Sequence, residues 1–206
     1  MRAARWWAAA VVLLLAGAAC LVVGLHAPHS LPAPAAADRS AAPTPTPVAA
    51  ASRRPAVARS APVTLRIPAI GLDVPVSELG LNPDGTIEVP ASFTEPGWYR
   101  LGPSPGQAGS AVILGHVDSY LGPAVFFRLR SLLPGDLVEV TLADGVIVQF
   151  VVRSVAEYLK ADFPDRLVYG SHGYSALQLV TCGGVFDTAT RHYLSNVVVY
   201  TSLQPG

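Results

Sequence analysis

The sequence predicts a mainly β domain over residues 63–206, a barrel or a sandwich of six to eight strands, behind an apolar N-terminal segment and a proline-rich linker. Three observations carry this expectation. Short β-branched runs recur through residues 63–206, Gly and Pro interrupt them every few residues, and helical periodicity is nearly absent.

The N-terminal segment comes first. Arg2 and Arg5 precede residues 6–25, a run of twenty without a charge, which at helical rise matches the roughly 30 Å hydrocarbon core of a bilayer. No Lys or Arg follows until Arg39, so the positive-inside rule places the N-terminus in the cytoplasm and the remainder outside the cell membrane. A cleaved signal peptide is the alternative, although its apolar region usually spans only ~7–15 residues. Residues 26–62 then contain 21 Ala or Pro and no aromatic residue, so they cannot build a core and are expected to form an extended extracellular linker.

Charge separates the two parts. Residues 1–62 carry six Arg against Asp38, whereas residues 63–206 carry eight Lys or Arg against thirteen Asp or Glu. The difference, 13 − 8 = 5 negative charges, argues against nucleic acid as a partner of the domain.

Within the domain, residues 63–67 alternate as a first strand and, after Pro68 and Gly71, residues 72–76 continue it past a bend. Asn82-Pro-Asp-Gly85 is a turn leading into a short strand at 86–89, and the Gly- and Pro-rich stretch 96–109 is irregular. Residues 111–114 form an apolar strand ending at Gly115-His116. Residues 126–133 have the spacing of one or two helical turns and stop at Pro134-Gly135. Residues 137–142 and 146–155 flank Ala143-Asp144-Gly145 as a hairpin. The connection 157–174 is long for a spacer, so it is either a substrate-side loop or a surface crossover.

The stretch that organises the chemistry is 175–201. An apolar run ends at Cys182, Gly183-Gly184 is expected to break the strand, and a second β-rich run starts at His192, just after Arg191. A thiol and a guanidinium at the two ends of one connection suit a nucleophile beside a cation that holds an oxyanion. Cys20 lies in the apolar span, so Cys182 has no intramolecular partner outside the membrane; it is reactive, paired with another molecule, or buried and inert. Its acid–base partner comes from His116, His172 or His192, and His116 is favoured because it follows an apolar strand as Cys182 does. Thr181 either hydrogen-bonds near the thiol or fills the wall, and Asp118 either orients the imidazole or is an ordinary loop carboxylate.

At Gly115-His116, at Gln178-Leu-Val-Thr181-Cys182 and at Arg191 the sequence resembles the sortases, the membrane-anchored cysteine transpeptidases of Gram-positive bacteria. Gln178 departs from the Thr that opens their Thr-Leu-x-Thr-Cys strand. The Leu-Val-Thr-Cys-Gly-Gly-x-Phe-Asp form, followed by His-Tyr-x-x-Asn-Val-Val-Val, looks most like the actinobacterial class F branch. The resemblance implies a closed eight-stranded β-barrel with one or two short helices. It also implies His116, Cys182 and Arg191 as the catalytic residues, supported by Thr181.

The implied reaction cleaves a Leu-Pro-x-Thr-Gly-like sorting signal of another exported protein between Thr and Gly. The acyl group then passes through a thioacyl-enzyme to an amine of a peptidoglycan precursor or a pilin. No cofactor is expected, and no Asp/Glu cluster dense enough for a metal is visible. Two alternatives stand beside this one: a non-catalytic, membrane-tethered β-barrel binding module with an inert Cys182, and a hydrolytic cysteine peptidase in which water is the acceptor.

Overall fold

The computed structural model describes residues 58–204. The expected membrane span, residues 6–25, and the linker up to residue 57 lie outside the described residues. Among the described residues no helix is long and apolar enough to cross a membrane.

The chain forms β1 (Pro62–Ile67), β2 (Leu72–Pro75), β3 (Ser77–Leu79), β4 (Gly97–Tyr99), β5 (Gly109–Leu114), β6 (Asp118–Ser119) and β7 (Gly122–Pro123). It continues with β8 (Leu137–Leu142), β9 (Ile147–Leu159), helix α1 (Asp165–Tyr169), β10 (Ser175–Asp187) and β11 (His192–Leu203). Nine strands make one sheet in the order β2-β1-β8-β9-β11-β10-β5-β4-β3, and β6 pairs only with β7. This differs from the expected closed, eight-stranded barrel, because the edge strands β2 and β3 are not paired with each other. They are joined in the chain by Val76 alone, whose N–H bonds the Val63 carbonyl while Ser77 N–H bonds that of Pro96. Covalent continuity thus spans the seam of a nearly closed barrel.

Period-2 alternation fills the interior. In β8, Val138, Val140 and Leu142 are buried and meet Leu65 and Ile67 of β1, Phe150 of β9, and Leu177 and Leu179 of β10 in the main core. Each fully buried side chain of this size contributes about 1.5–3 kcal/mol. The other face of β10 is covered as well: Val180, with Val112 and Val198, packs against Val168 of α1 and the rings of Phe163 and Tyr169. The connection 157–174 is therefore a structured cover on the sheet. β9 extends into it as far as Leu159, and a 3-10 turn (Lys160–Asp162) and α1 follow.

Two local expectations are corrected. Residues 86–89 do not form a strand; Leu81 and Ile87 make a single bridge, since the Asn82 and Asp84 side chains bond Thr86 and hold a tight turn. The expected break at Gly183-Gly184 is a register shift between Gly183 and Phe186, so β10 runs on to Asp187. The segment before β1 is held to the barrel. Arg59 donates to the carbonyls of Arg100 and Gly102 and lies 5.2 Å over the Trp98 ring, anchoring the end of the linker.

Candidate active site

β5 and β10 run parallel, and their last rung pairs Leu114 with Val180, followed by a 3.0 Å bond from Gly115 N–H to the Val180 carbonyl. His116 and Cys182 each stand two residues beyond that rung, so side-chain alternation puts both on one face at the same end of the sheet. They line one cleft, together with Val89, Pro90, Leu114, Gly115, Tyr169, Val180, Thr181 and Asn196. Residue 115 must be glycine here, because a Cβ would sit 2.5 Å from the Phe126 ring that plugs the core beneath it.

The imidazole is oriented by its surroundings. His116 Nε2 lies 2.8 Å from the Pro90 carbonyl, and its ring packs 4.6 Å from that of Phe93. A carbonyl only accepts, so Nε2 carries the proton and Nδ1 is left as the proton-accepting nitrogen. Asp118 does not orient the imidazole; it accepts the Tyr193 hydroxyl. His172 is tied to the Leu167 carbonyl at 2.9 Å, and His192 is an exposed residue opposite Asp187 at the end of the hairpin ladder.

Thr181 is 4% exposed and its hydroxyl has no hydrogen-bond partner, so beside the thiol stands a buried polar atom with free bonding capacity.

Arg191 lies in the turn between β10 and β11, and among the described residues it is the one non-glycine residue with positive φ, at 58°. Asp187 shapes that turn, accepting the Ala189 N–H at 2.8 Å and the Thr190 hydroxyl at 2.9 Å; these bonds hold its carboxyl below the usual aspartate value. Arg191 lines a cleft with Asp118, Ser119, Tyr120, Phe186 and Tyr193, next to the one that holds Cys182. Tyr193 is the shared wall, since it also lines a cleft of about 260 Å³ with Cys182, Gly183, Gly184 and Arg130. Its phenol pKa is raised, first by the bond to Asp118, then by desolvation and by the negative charges of Asp118 and Cys182.

Tyr193, Arg130 and Glu157 are site residues that the sequence does not announce. Alternation after Arg191 could have flagged Tyr193. No spacing rule joins Arg130 to Glu157, 27 residues apart, whose side chains form an ion pair; Arg130 lines the cleft with Cys182. Among the described residues, no three of His, Cys, Asp and Glu gather closely enough to hold a metal ion.

Residues 65–204 match the family model described as the sortase domain. The chain belongs to the sortase family. No curated protein matches it. Among solved structures it is similar to sortase A from Corynebacterium diphtheriae, with a TM-score of 0.55 and 19% identity over 72% of this chain and 63% of that one. Sortase C-1 from Actinomyces oris gives a TM-score of 0.54 and 20% identity over 69% of this chain and 73% of that one. The Group B Streptococcus pilus island 1 sortase C2 gives 0.53 and 17% over 69% and 73%. The sortase A alignment spans less than two thirds of that protein's length, and at these identities the likeness is one of fold. The sortase barrel here places the histidine and the cysteine through one parallel strand pair.

Proposed function

We propose that the protein is a cysteine transpeptidase that cleaves a Leu-Pro-x-Thr-Gly-like signal between Thr and Gly. The observation that carries this reading is the placement of His116 and Cys182 two residues past the same rung, in one cleft. His116 Nδ1 takes the thiol proton, and Cys182 Sγ attacks the Thr carbonyl carbon. The C–N bond to Gly breaks, and the same proton passes to the leaving amine. An incoming amine then adds to the thioester carbon, the C–S bond breaks, and the amine's proton returns to His116.

Arg191 is assigned the oxyanion, a role worth ~10²–10³ in rate for one donor. Its exposed side chain has to pass the Tyr193 ring to reach the thiol cleft. Thr181 offers its unpaired hydroxyl to the substrate. The Leu-Pro portion fits the apolar side of the cleft, where Leu114 and Tyr169 continue into a groove with Leu81, Ile87, Tyr99 and Asp165.

The acceptor is an amine of the cell wall or of a pilin. The class F assignment rests on the residues around Cys182. The charge-free run at 6–25, with Arg2 and Arg5 before it, supports a single-pass anchor with the catalytic domain outside the cell. The test incubates the full chain with a Leu-Pro-x-Thr-Gly peptide and an amine. Amide product supports the transpeptidase, free acid alone supports a peptidase, and an unchanged peptide overturns both.

A further inference from the structure

Cys182 borders two clefts. One holds His116 and apolar groups; the other is formed by Val117, Phe126, Phe127, Arg130, Gly183, Gly184, Tyr193 and Val197. The charged group in the second cleft is Arg130, from the 3-10 turn Leu129–Ser131, and its guanidinium is paired with Glu157 of β9. The chain beside the thiol leaves room for this pair. A Cβ at Gly183 would stand 2.7 Å from Val197 and 3.7 Å from the Arg130 guanidinium. A Cβ at Gly184, where φ is +76°, would stand 2.6 Å from the Glu157 carboxylate. The two glycines after Cys182 therefore let a positive and a negative group come up to the backbone beside the reacting sulfur.

Two charges of opposite sign beside an acyl-transfer centre select what enters. A bare alkylammonium pairs with Glu157 alone and gains nothing from Arg130. An ammonium that carries a carboxylate on the neighbouring carbon lies antiparallel to the pair, carboxylate on Arg130 and ammonium on Glu157. We propose that Arg130 and Glu157 form the acceptor subsite, and that the acceptor is an α-amino carboxylate rather than an isolated amine. This rests on the transpeptidase reading. In the step it serves, the ammonium held by Glu157 first gives one proton to solvent and so becomes the free amine. Its nitrogen then bonds to the thioester carbon, the C–S bond breaks, Cys182 leaves as thiolate, and the second proton goes to His116, which gave up its own to the first leaving group.

Arg130 and Glu157 side chains are 61% and 38% exposed, so solvent weakens the recognition to roughly a fivefold effect. The test gives the full chain a Leu-Pro-x-Thr-Gly peptide and either glycine or glycinamide, the same amine with its carboxylate free or capped. The ratio of aminolysis rates, with the KM of each acceptor, is compared between the wild type and variants. Arg130→Gln is expected to shift the ratio about three- to fivefold toward glycinamide through the KM for glycine, and Arg130→Lys to restore part of it. Glu157→Gln is expected to raise the KM of both acceptors. A ratio unchanged by Arg130→Gln overturns the inference, as does an equal slowing of both reactions, which would make Arg130 part of the acylation machinery. A wild-type chain that never forms a thioacyl adduct overturns the transpeptidase reading and this inference with it; one that acylates normally but shows an Arg130-independent ratio overturns this inference alone.

Discussion

The Tyr193 hydroxyl donates to the Asp118 carboxylate, and this bond fixes the ring that stands between the Cys182 cleft and the Arg191 cleft. It ties the β10–β11 hairpin to the segment just after His116, so the two halves of the proposed machinery are braced by a residue that does no chemistry itself. Tyr193→Phe keeps the ring and loses the bond. In a partly solvent-open setting the expected loss is about 0.5–1 kcal/mol of stability, read as a lower urea midpoint with an unchanged slope. An unchanged midpoint would show that the bond braces nothing.

Arg191 holds a backbone conformation that glycine adopts freely and arginine does not. Arg191→Gly should therefore raise stability by about 1 kcal/mol while lowering acylation by ~10²–10³. The pair of measurements, thermal midpoint and single-turnover acylation, separates strain kept for function from an incidental turn. A variant that loses stability, or that acylates normally, contradicts the assignment.

Thr181 buries a hydroxyl without a partner, so the isostere Thr181→Val removes a desolvated polar atom at no cost in packing. Stability should be unchanged or higher, while the KM for the sorting peptide rises if the hydroxyl serves the substrate. A clear loss of stability would mean that the hydroxyl is bonded in the folded protein.

Three of the seven tyrosines are held protonated beyond the ordinary range. Burial, then the Asp165 charge and Tyr99, push Tyr169 up to about 12; burial and the Tyr158 hydroxyl raise Tyr200; the Asp118 bond raises Tyr193. A phenol with a raised folded pKa stabilises the fold while it is protonated. That contribution is whole below the unfolded value of about 10 and is lost as pH rises through the folded value. Absorbance at 295 nm should show the phenolate signal of Tyr169 still missing at pH 10 and appearing as pH approaches about 12 or as the fold opens. A phenolate signal already complete at pH 10 would contradict it.

What the sequence made legible followed from local chemistry. His116 and Cys182 were readable because each ends an apolar run and a glycine adjoins each, and a parallel pair with matched ends then brings them together. The spacing between Cys182 and Arg191 was readable too. Their separation by the Tyr193 ring was not, because it depends on a hairpin register that shifts at Gly183-Gly184, where composition alone suggests a break. Residues 86–89 look like a strand but are bonded to their own turn by Asn82 and Asp84, side-chain bonds that compete with a ladder. Arg130 and Glu157 meet only because the 3-10 turn and β9 fold against β11, a tertiary event with no linear signature.

If Cys182, served by His116, carries the acyl group, the intact mass of the full chain quenched during turnover of a Leu-Pro-x-Thr-Gly peptide records it. The expected result is an added mass equal to the acyl fragment that ends at Thr, located on Cys182, released by hydroxylamine, and absent from both Cys182→Ala and His116→Ala. An adduct that forms equally well without His116, or no adduct on a folded chain that binds the peptide, would contradict it.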